Sequence, residues 1–110
     1  MANARIVLTT VGALDQAEQL ANALVERRLA ACVNIVGPIR SIYRWKDAIE
    51  REQEYLLLIK TTAERAADLA AVLSQLHPYE LPEHVELDID GGSDGYLEWL
   101  SAQVVRDVHQ

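Results

Sequence analysis

The seven residues EYLLLIK (Glu54 to Lys60) restrict this chain more than any other stretch. Side chains alternate along an extended segment, so Tyr55, Leu57 and Ile59 project to one side and Leu56 and Leu58 to the other. A strand with one wet face alternates apolar and polar residues, whereas a strand apolar on both sides belongs inside a sheet with something over each face. The stretch therefore requires flanking strands and two covering layers.

The rest of the chain supplies most of them. RIVLTT (Arg5 to Thr10) is short, apolar and β-branched and reads as a strand ended by Gly12. Ala17, Leu20, Ala21 and Leu24 recur at helical spacing and predict a helix from about Ala13 to Leu29. Its cap is ambiguous, because Asp15-x-x-Glu18 would start it later. A second β-rich stretch runs from Ala30 to Trp45, and Gly37-Pro38 inside it marks a bend, a bulge or an edge position. Beyond that pair, Ile39, Ser41, Tyr43 and Trp45 face one way, and Arg40, Ile42 and Arg44 the other. The polar KDAIERE that follows reads as a hairpin loop.

After the central strand, TTAE (Thr61 to Glu64) matches a capping box. Ala66, Leu69, Ala70, Leu73 and Leu76 form a helical stripe, and Pro78 stops that helix by pushing His77 out of the α region. VELDID (Val85 to Asp90) alternates as a half-buried strand, with Val85, Leu87 and Ile89 inward. Gly91-Gly92 turns the chain, Ser93 can cap a last helix, and Leu97, Leu100, Val104 and Val108 are its stripe.

The order β-α-β-β-α-β plus a C-terminal helix predicts an α+β fold. It is a ferredoxin-like antiparallel sheet in one domain over residues 1–110, with the two crossover helices on one face. The other face would be open, although EYLLLIK is apolar there too. Soluble monomers rarely expose large apolar patches. The last helix covers part of that face, and a closed oligomer is the expected cover for the rest.

Composition removes several functions. The formal net charge of −7 disfavours nucleic acid, which is bound chiefly through Lys and Arg, and disfavours anionic membranes. One cysteine, Cys32, excludes an intrachain disulfide framework and a CxxC site, and fits a reducing compartment. Thr9 and Thr10 break the N-terminal apolar run, no small-residue cleavage motif follows, and no run nears the ~20 residues of a membrane span. The cytoplasm is the expected location. No Walker A loop, GxGxxG or GxSxG is present.

The reactive residue types concentrate in LHPYELPEHV (Leu76 to Val85). His77 with Glu80 could form a general acid–base pair. The blander alternative, which we favour, has His77 closing the helix and satisfying its exposed carbonyls. Cys32 starts an apolar strand, where a cysteine is usually an inert core residue. Thiolate and imidazole suit copper and zinc, so Cys32, His77, Glu80 and His84 are the ligand set this chain could offer.

Several stretches together resemble the CutA family of divalent-cation tolerance proteins: LVERRLAACVNIVGPIRSIYRWKDAIE, LLLIKTT, LHPYELPE and DGYLEWL, in that order. The resemblance covers nearly the whole chain and implies a ferredoxin-like subunit in a compact homotrimer, similar in architecture to PII-type signalling trimers. Sheets would join edge to edge through the long second and third strands. It implies a bacterial cytoplasmic protein linked to copper and other divalent ions, with no established enzymatic activity. Carried over by motif, Cys32 stands in ACVN, Trp45 ends SIYxW, Lys60 lies in IKT, and His77, Pro78, Tyr79, Glu80, Pro82 and Glu83 make HPYExPE. Tyr96 and Trp99 stand in YLxW. The resemblance places Trp45, Lys60, Tyr79, Glu80, Tyr96 and Trp99 at clefts between subunits. Two departures stand out. Asp47 and Ala48 follow Lys46 where the family commonly has a glycine, and His84 replaces a usual aliphatic residue.

Three functions follow as expectations. The first is a homotrimer that responds to or binds copper or another divalent metal, requiring no cofactor. The second is a PII-like signalling or scaffold trimer that takes a small molecule or partner protein at its clefts, through Lys60, Arg44 and Tyr79. The third, least favoured, is a small hydrolase using His77 and Glu80; the leading expectation is a protein that is not an enzyme.

Overall fold

The central strand is central. In the computed structural model, which describes residues 3–106, β3 (Ala48–Thr62) pairs antiparallel with β2 (Cys32–Trp45) on one side and β1 (Ala4–Val11) on the other. β4 (Val85–Asp88) adds to β1, giving the sheet order β2-β3-β1-β4. Two helices, α1 (Leu14–Glu26) and α2 (Ala66–Leu76), lie on one face, and α3 (Asp94–Gln103) follows β4. This is the expected α+β arrangement.

Register decides the faces, because residues directly opposite one another share a side. Val7, Val11, Leu57 and Ile59 are fully buried beneath Ala17, Leu20 and Leu24 of α1 and Leu69 and Leu73 of α2. On the reverse face Ile6, Leu8, Leu56 and Leu58 are half-buried. There α3 covers one end, packing Leu100 and Val104 against Ala4 and Ala31, with Leu97 and Ile89 beside them. The coverage expected of α3 is partial. The predicted Val108 lies outside the described residues.

Several boundaries differ from expectation. α1 ends at Glu26, not Leu29. Arg28 takes the left-handed conformation (φ 57), and Leu29 N–H bonds the Leu24 carbonyl at 2.9 Å while Arg28 N–H bonds that of Val25 at 3.1 Å. That Schellman closure turns Leu29 back into the core. α1 starts at Leu14 after Ala13, which offers no side-chain cap. The capping box in TTAE is not made: Thr62 caps nothing, Thr61 Oγ1 instead donates to the Leu29 carbonyl at 2.7 Å, and a 3-10 turn over Ala63–Arg65 leads into α2. Leu76, expected in the buried stripe, is exposed at the end of α2. Ser93 does cap α3, accepting from Tyr96 N–H at 3.4 Å.

The stretch read as a hairpin loop is mostly strand. Only Lys46 and Asp47 turn the chain, both at positive φ (50 and 66), as a tight two-residue hairpin requires. Ala48 to Glu52 continue β3, so the β2–β3 hairpin is a long two-stranded arm. Gly37-Pro38, a cis peptide bond, is a bulge: register shifts by one residue between Val36 and Ile39. A Cβ on Gly37 would lie 2.6 Å from the Tyr55 ring, so the close approach there requires glycine.

Val85 and Leu87 were expected to point inward from a strand buried on one face. They lie on the α3 side of β4 and are 43% and 48% exposed, because β4 is a short edge strand that no element among the described residues covers. Glu86 and Asp88, on the other side of β4, accept hydrogen bonds from Arg5 at 2.9 and 3.1 Å. No helix among the described residues is long and apolar enough to cross a membrane.

Candidate functional site

The β2–β3 arm and the loop after α2 enclose an open groove of about 900 Å³. Glu50, Glu52 and Glu54 line one wall from alternate positions on β3. Tyr43 and Trp45 of β2 stand beside them, and Tyr79 to Glu83 form the opposite bank. Alternation on β3 aims the three glutamates one way. The bulge at Gly37-Pro38 brings the odd-numbered residues of β2 to the same side, with Tyr43 opposite Glu50 and Ser41 opposite Glu52.

The loop bank is fixed from below by His77. α2 ends at this residue, whose backbone is extended (φ −71, ψ 134) because Pro78 follows. The ring is buried. Nε2 lies 2.9 Å from the Thr10 carbonyl oxygen and 3.1 Å from Thr9 Oγ1, and Nδ1 lies 3.1 Å from Tyr79 N. A carbonyl only accepts and an amide only donates, so Nε2 carries the proton and Nδ1 accepts from Tyr79 N–H. Burial is the dominant influence and holds the imidazole pKa below the ordinary 6.5, against the opposing effects of Thr10 and Glu54. The bland reading was right in kind and wrong in partner: His77 satisfies the Thr10 carbonyl of β1 and the Tyr79 N–H of the following loop, not carbonyls of its own helix. Both ring nitrogens are occupied, so His77 is neither a free base nor a free metal ligand, and it forms no acid–base pair with Glu80.

Tyr79 carries this anchoring into the groove. Its hydroxyl donates to Glu54 Oε2 at 2.6 Å. Burial first, and the Glu54 hydrogen bond second, push the phenol well above its ordinary range. Desolvation, ahead of the charge of Glu52, also raises the Tyr43 phenol. Glu80 is exposed at the rim, with Lys46 Nζ 3.9 Å from its carboxylate.

The residues singled out from sequence divide into separate places. Trp45, Tyr79 and Glu80 line this groove. Lys60 of β3 meets Tyr96 of α3, with Trp99 beside it: Lys60 Nζ lies 3.5 Å from the Tyr96 hydroxyl, and the Tyr96 and Trp99 ring centroids are 5.5 Å apart. Cys32 stands opposite Lys60 in the register and is half-exposed rather than buried core, with Sγ 3.7 Å from Asn34 Oδ1. His84 bonds Glu86 at 2.9 Å beside β4. The expected ligand set of Cys32, His77, Glu80 and His84 does not come together in one subunit. Among the described residues no group of three or more His, Cys, Asp or Glu side chains is placed to hold a metal ion. Arg44 does not line the groove.

Glu50, Glu52 and Glu54 were missed as site residues. Their alternation in IEREQEY was a visible strand signal, hidden by reading KDAIERE as loop.

Comparison with known proteins agrees with the architecture. The family profile described as "CutA1 divalent ion tolerance protein" matches residues 5–103. The chain is 50% identical over 95 residues to the divalent-cation tolerance protein CutA of Thermus thermophilus, covering 86% of this chain and 92% of that one. It is 43% identical over 95 residues to the chloroplastic protein CutA of Arabidopsis thaliana, of which it spans 52%. The solved structure of the Thermus thermophilus divalent cation tolerance protein superposes with a TM-score of 0.90 at 46% identity, covering 93% of this chain and 99% of that one.

Proposed function

We propose, from the premise that the chain belongs to the CutA1 divalent ion tolerance protein family, that it acts in the response to divalent cations as a closed PII-like homotrimer. One observation carries the assembly. The reverse face of the sheet presents half-buried Ile6, Leu8, Leu56 and Leu58, with exposed Val36, Val85 and Leu87 at its edges. Both edge strands, β2 and β4, end the sheet with unpaired backbone groups. Edge-to-edge association of copies satisfies those groups and buries the apolar face together. Light scattering on a size-exclusion column tests it: the expected mass is about three times the 12.3 kDa subunit, and a monomer overturns the proposal.

Contact with copper or another divalent ion belongs to the same proposal and draws on donors from more than one subunit. Cys32 lies on edge strand β2 and His84 beside edge strand β4; β3, expected with β2 at the subunit contacts, is flanked by β1 and β2 over most of its length, so the free borders we assign to the pairing are β2 and β4. Calorimetry with Cu(II) on wild type, Cys32→Ser and His84→Ala checks this, and unchanged binding in both variants removes these ligands. We infer a role that is not enzymatic and needs no cofactor, supported by the engagement of both His77 nitrogens. A cytoplasmic location completes the reading, supported by the single thiol; cell fractionation checks it.

A second reading, a trimer that takes a small molecule at its clefts, is favoured by the acidic and aromatic groove.

A further inference from the structure

We propose that His77 is a pH-sensitive latch: a proton taken up at its Nδ1 releases the loop bank from Pro78 to Glu83 while the sheet and helices stay folded. The inference rests on bonds within one chain, and neither on the trimer nor on what fills the groove.

The latch holds a segment that has little else to hold it. From Pro78 to Glu83 no backbone group bonds another backbone group among the described residues. Pro78, Glu80, Leu81 and Glu83 are exposed, Leu81 by 69%. Two hydrogen bonds tie the bank to the body, and Tyr79 makes both. Its N–H reaches His77 Nδ1 at 3.1 Å, and its hydroxyl reaches Glu54 Oε2 at 2.6 Å. The phenol ring also lies against the imidazole, with centroids 4.9 Å apart. Segments with few buried contacts open locally at free energies far below that of global unfolding.

Donor and acceptor counts make the first bond depend on the charge of the ring. The neutral ring gives its one N–H to the Thr10 carbonyl through Nε2 and accepts with Nδ1. An imidazolium donates from both nitrogens and accepts with neither. Nε2 then keeps its carbonyl, but at Nδ1 two donors face each other and the Tyr79 N–H has lost its acceptor. A buried cation with a bond unmade costs free energy until the bank moves and water enters. The groups facing the ring leave this outcome in place. β1 offers Thr9 and Thr10, which carry no charge. The loop offers the Tyr79 phenol, held neutral above its ordinary range. Glu54 on β3 is the charge that favours the imidazolium; burial outweighs it, so the proton enters below pH 6.5.

Nuclear magnetic resonance tests the proposal. At pH 7 the ring nitrogen shifts of His77 should show Nε2 protonated and Nδ1 bare. As pH falls, protection of the Tyr79 amide against hydrogen exchange, corrected for the intrinsic rate, is expected to drop about tenfold or more. The drop should share its midpoint with the His77 ring, while the amides of Val7 and Leu57 keep their protection. Tyr79→Phe removes one tie and is expected to move the midpoint up towards 6.5, because a weaker closed bank resists the proton less. His84→Ala should leave the midpoint where it is, and His77→Gln should abolish the step. Any of four results overturns the proposal: the opposite tautomer, Tyr79 protection that does not follow the His77 ring, loss of protection across the whole sheet at the same midpoint, or a step that survives in His77→Gln. Should His77→Gln fail to fold, Tyr79→Phe still decides, since an unmoved midpoint there also overturns it. Light scattering on the same samples reads the assembly separately, so failure of the trimer and failure of the latch are distinguishable.

Discussion

The two faces of the sheet are built from the same residue types and finish in different states. Towards α1 and α2, Val7, Leu57 and Ile59 are fully removed from solvent. One residue along, Ile6, Leu8, Leu56 and Leu58 are only half-buried, and α3 reaches just one end of their row. The first face is completed within the chain, since its two helices arrive through the crossovers that join the strands. The second has no further element among the described residues to cover it. Apolar content alone says that a surface must be buried; connectivity says whether the chain can bury it by itself.

Substitutions can break this contrast, and the largest effect is expected on the open face. Leu58→Lys places an unpaired ammonium on the face that the proposed trimer would bury, at several kcal/mol. The subunit should keep its far-ultraviolet circular dichroism while its mass by light scattering falls to 12.3 kDa. Loss of the fold instead would make both faces parts of one subunit core. Leu57→Ala, on the covered face, should cost about 2–5 kcal/mol of unfolding free energy, read by denaturant titration. A loss under about 1 kcal/mol would mean that the contrast has been assigned to the wrong sides.

Between the faces, Gly37→Ala forces a methyl to within 2.6 Å of the Tyr55 ring and should cost about 1–3 kcal/mol. His77 sharpens the contrast through pH. Its folded-state pKa lies below 6.5, so the unfolded chain takes up its proton first as pH falls. Stability is intact above 6.5 and declines as pH drops towards the folded value. Denaturation at pH 7 and pH 5 should show this slope in wild type and less of it in His77→Gln. At the tip of the arm, where neither face is covered, Asp47→Gly should stabilise by about 0.5–1 kcal/mol, because Asp47 now holds φ 66 without glycine. A thermal melt detects it.

Local patterns carried most of the fold. Alternation in EYLLLIK found the central strand, and Pro78 found the end of α2. The bulge was one of three options left open at Gly37-Pro38. Reading failed where burial depends on distant partners. Nothing near His77 indicates that its ring reaches Thr9 and Thr10, nearly seventy positions earlier. Glu54 looked like a strand boundary, but Tyr79 and the arm enclose it. The proposed metal ligands were chosen by donor chemistry, which carries no information about where each donor points.

The bulge at Gly37-Pro38 has a consequence for engineering. It works like a one-letter insertion in a reading frame: two residues of β2 are spent opposite one of β3, and everything downstream changes phase. Deleting Pro38 would leave every groove-lining side chain named above in the sequence, yet send Tyr43 and Trp45 to the opposite surface from Glu50, Glu52 and Glu54. The identity of the pocket is thus encoded partly as a count of backbone units. Any chimaera that exchanges this arm with a relative must preserve that count before it preserves any side chain.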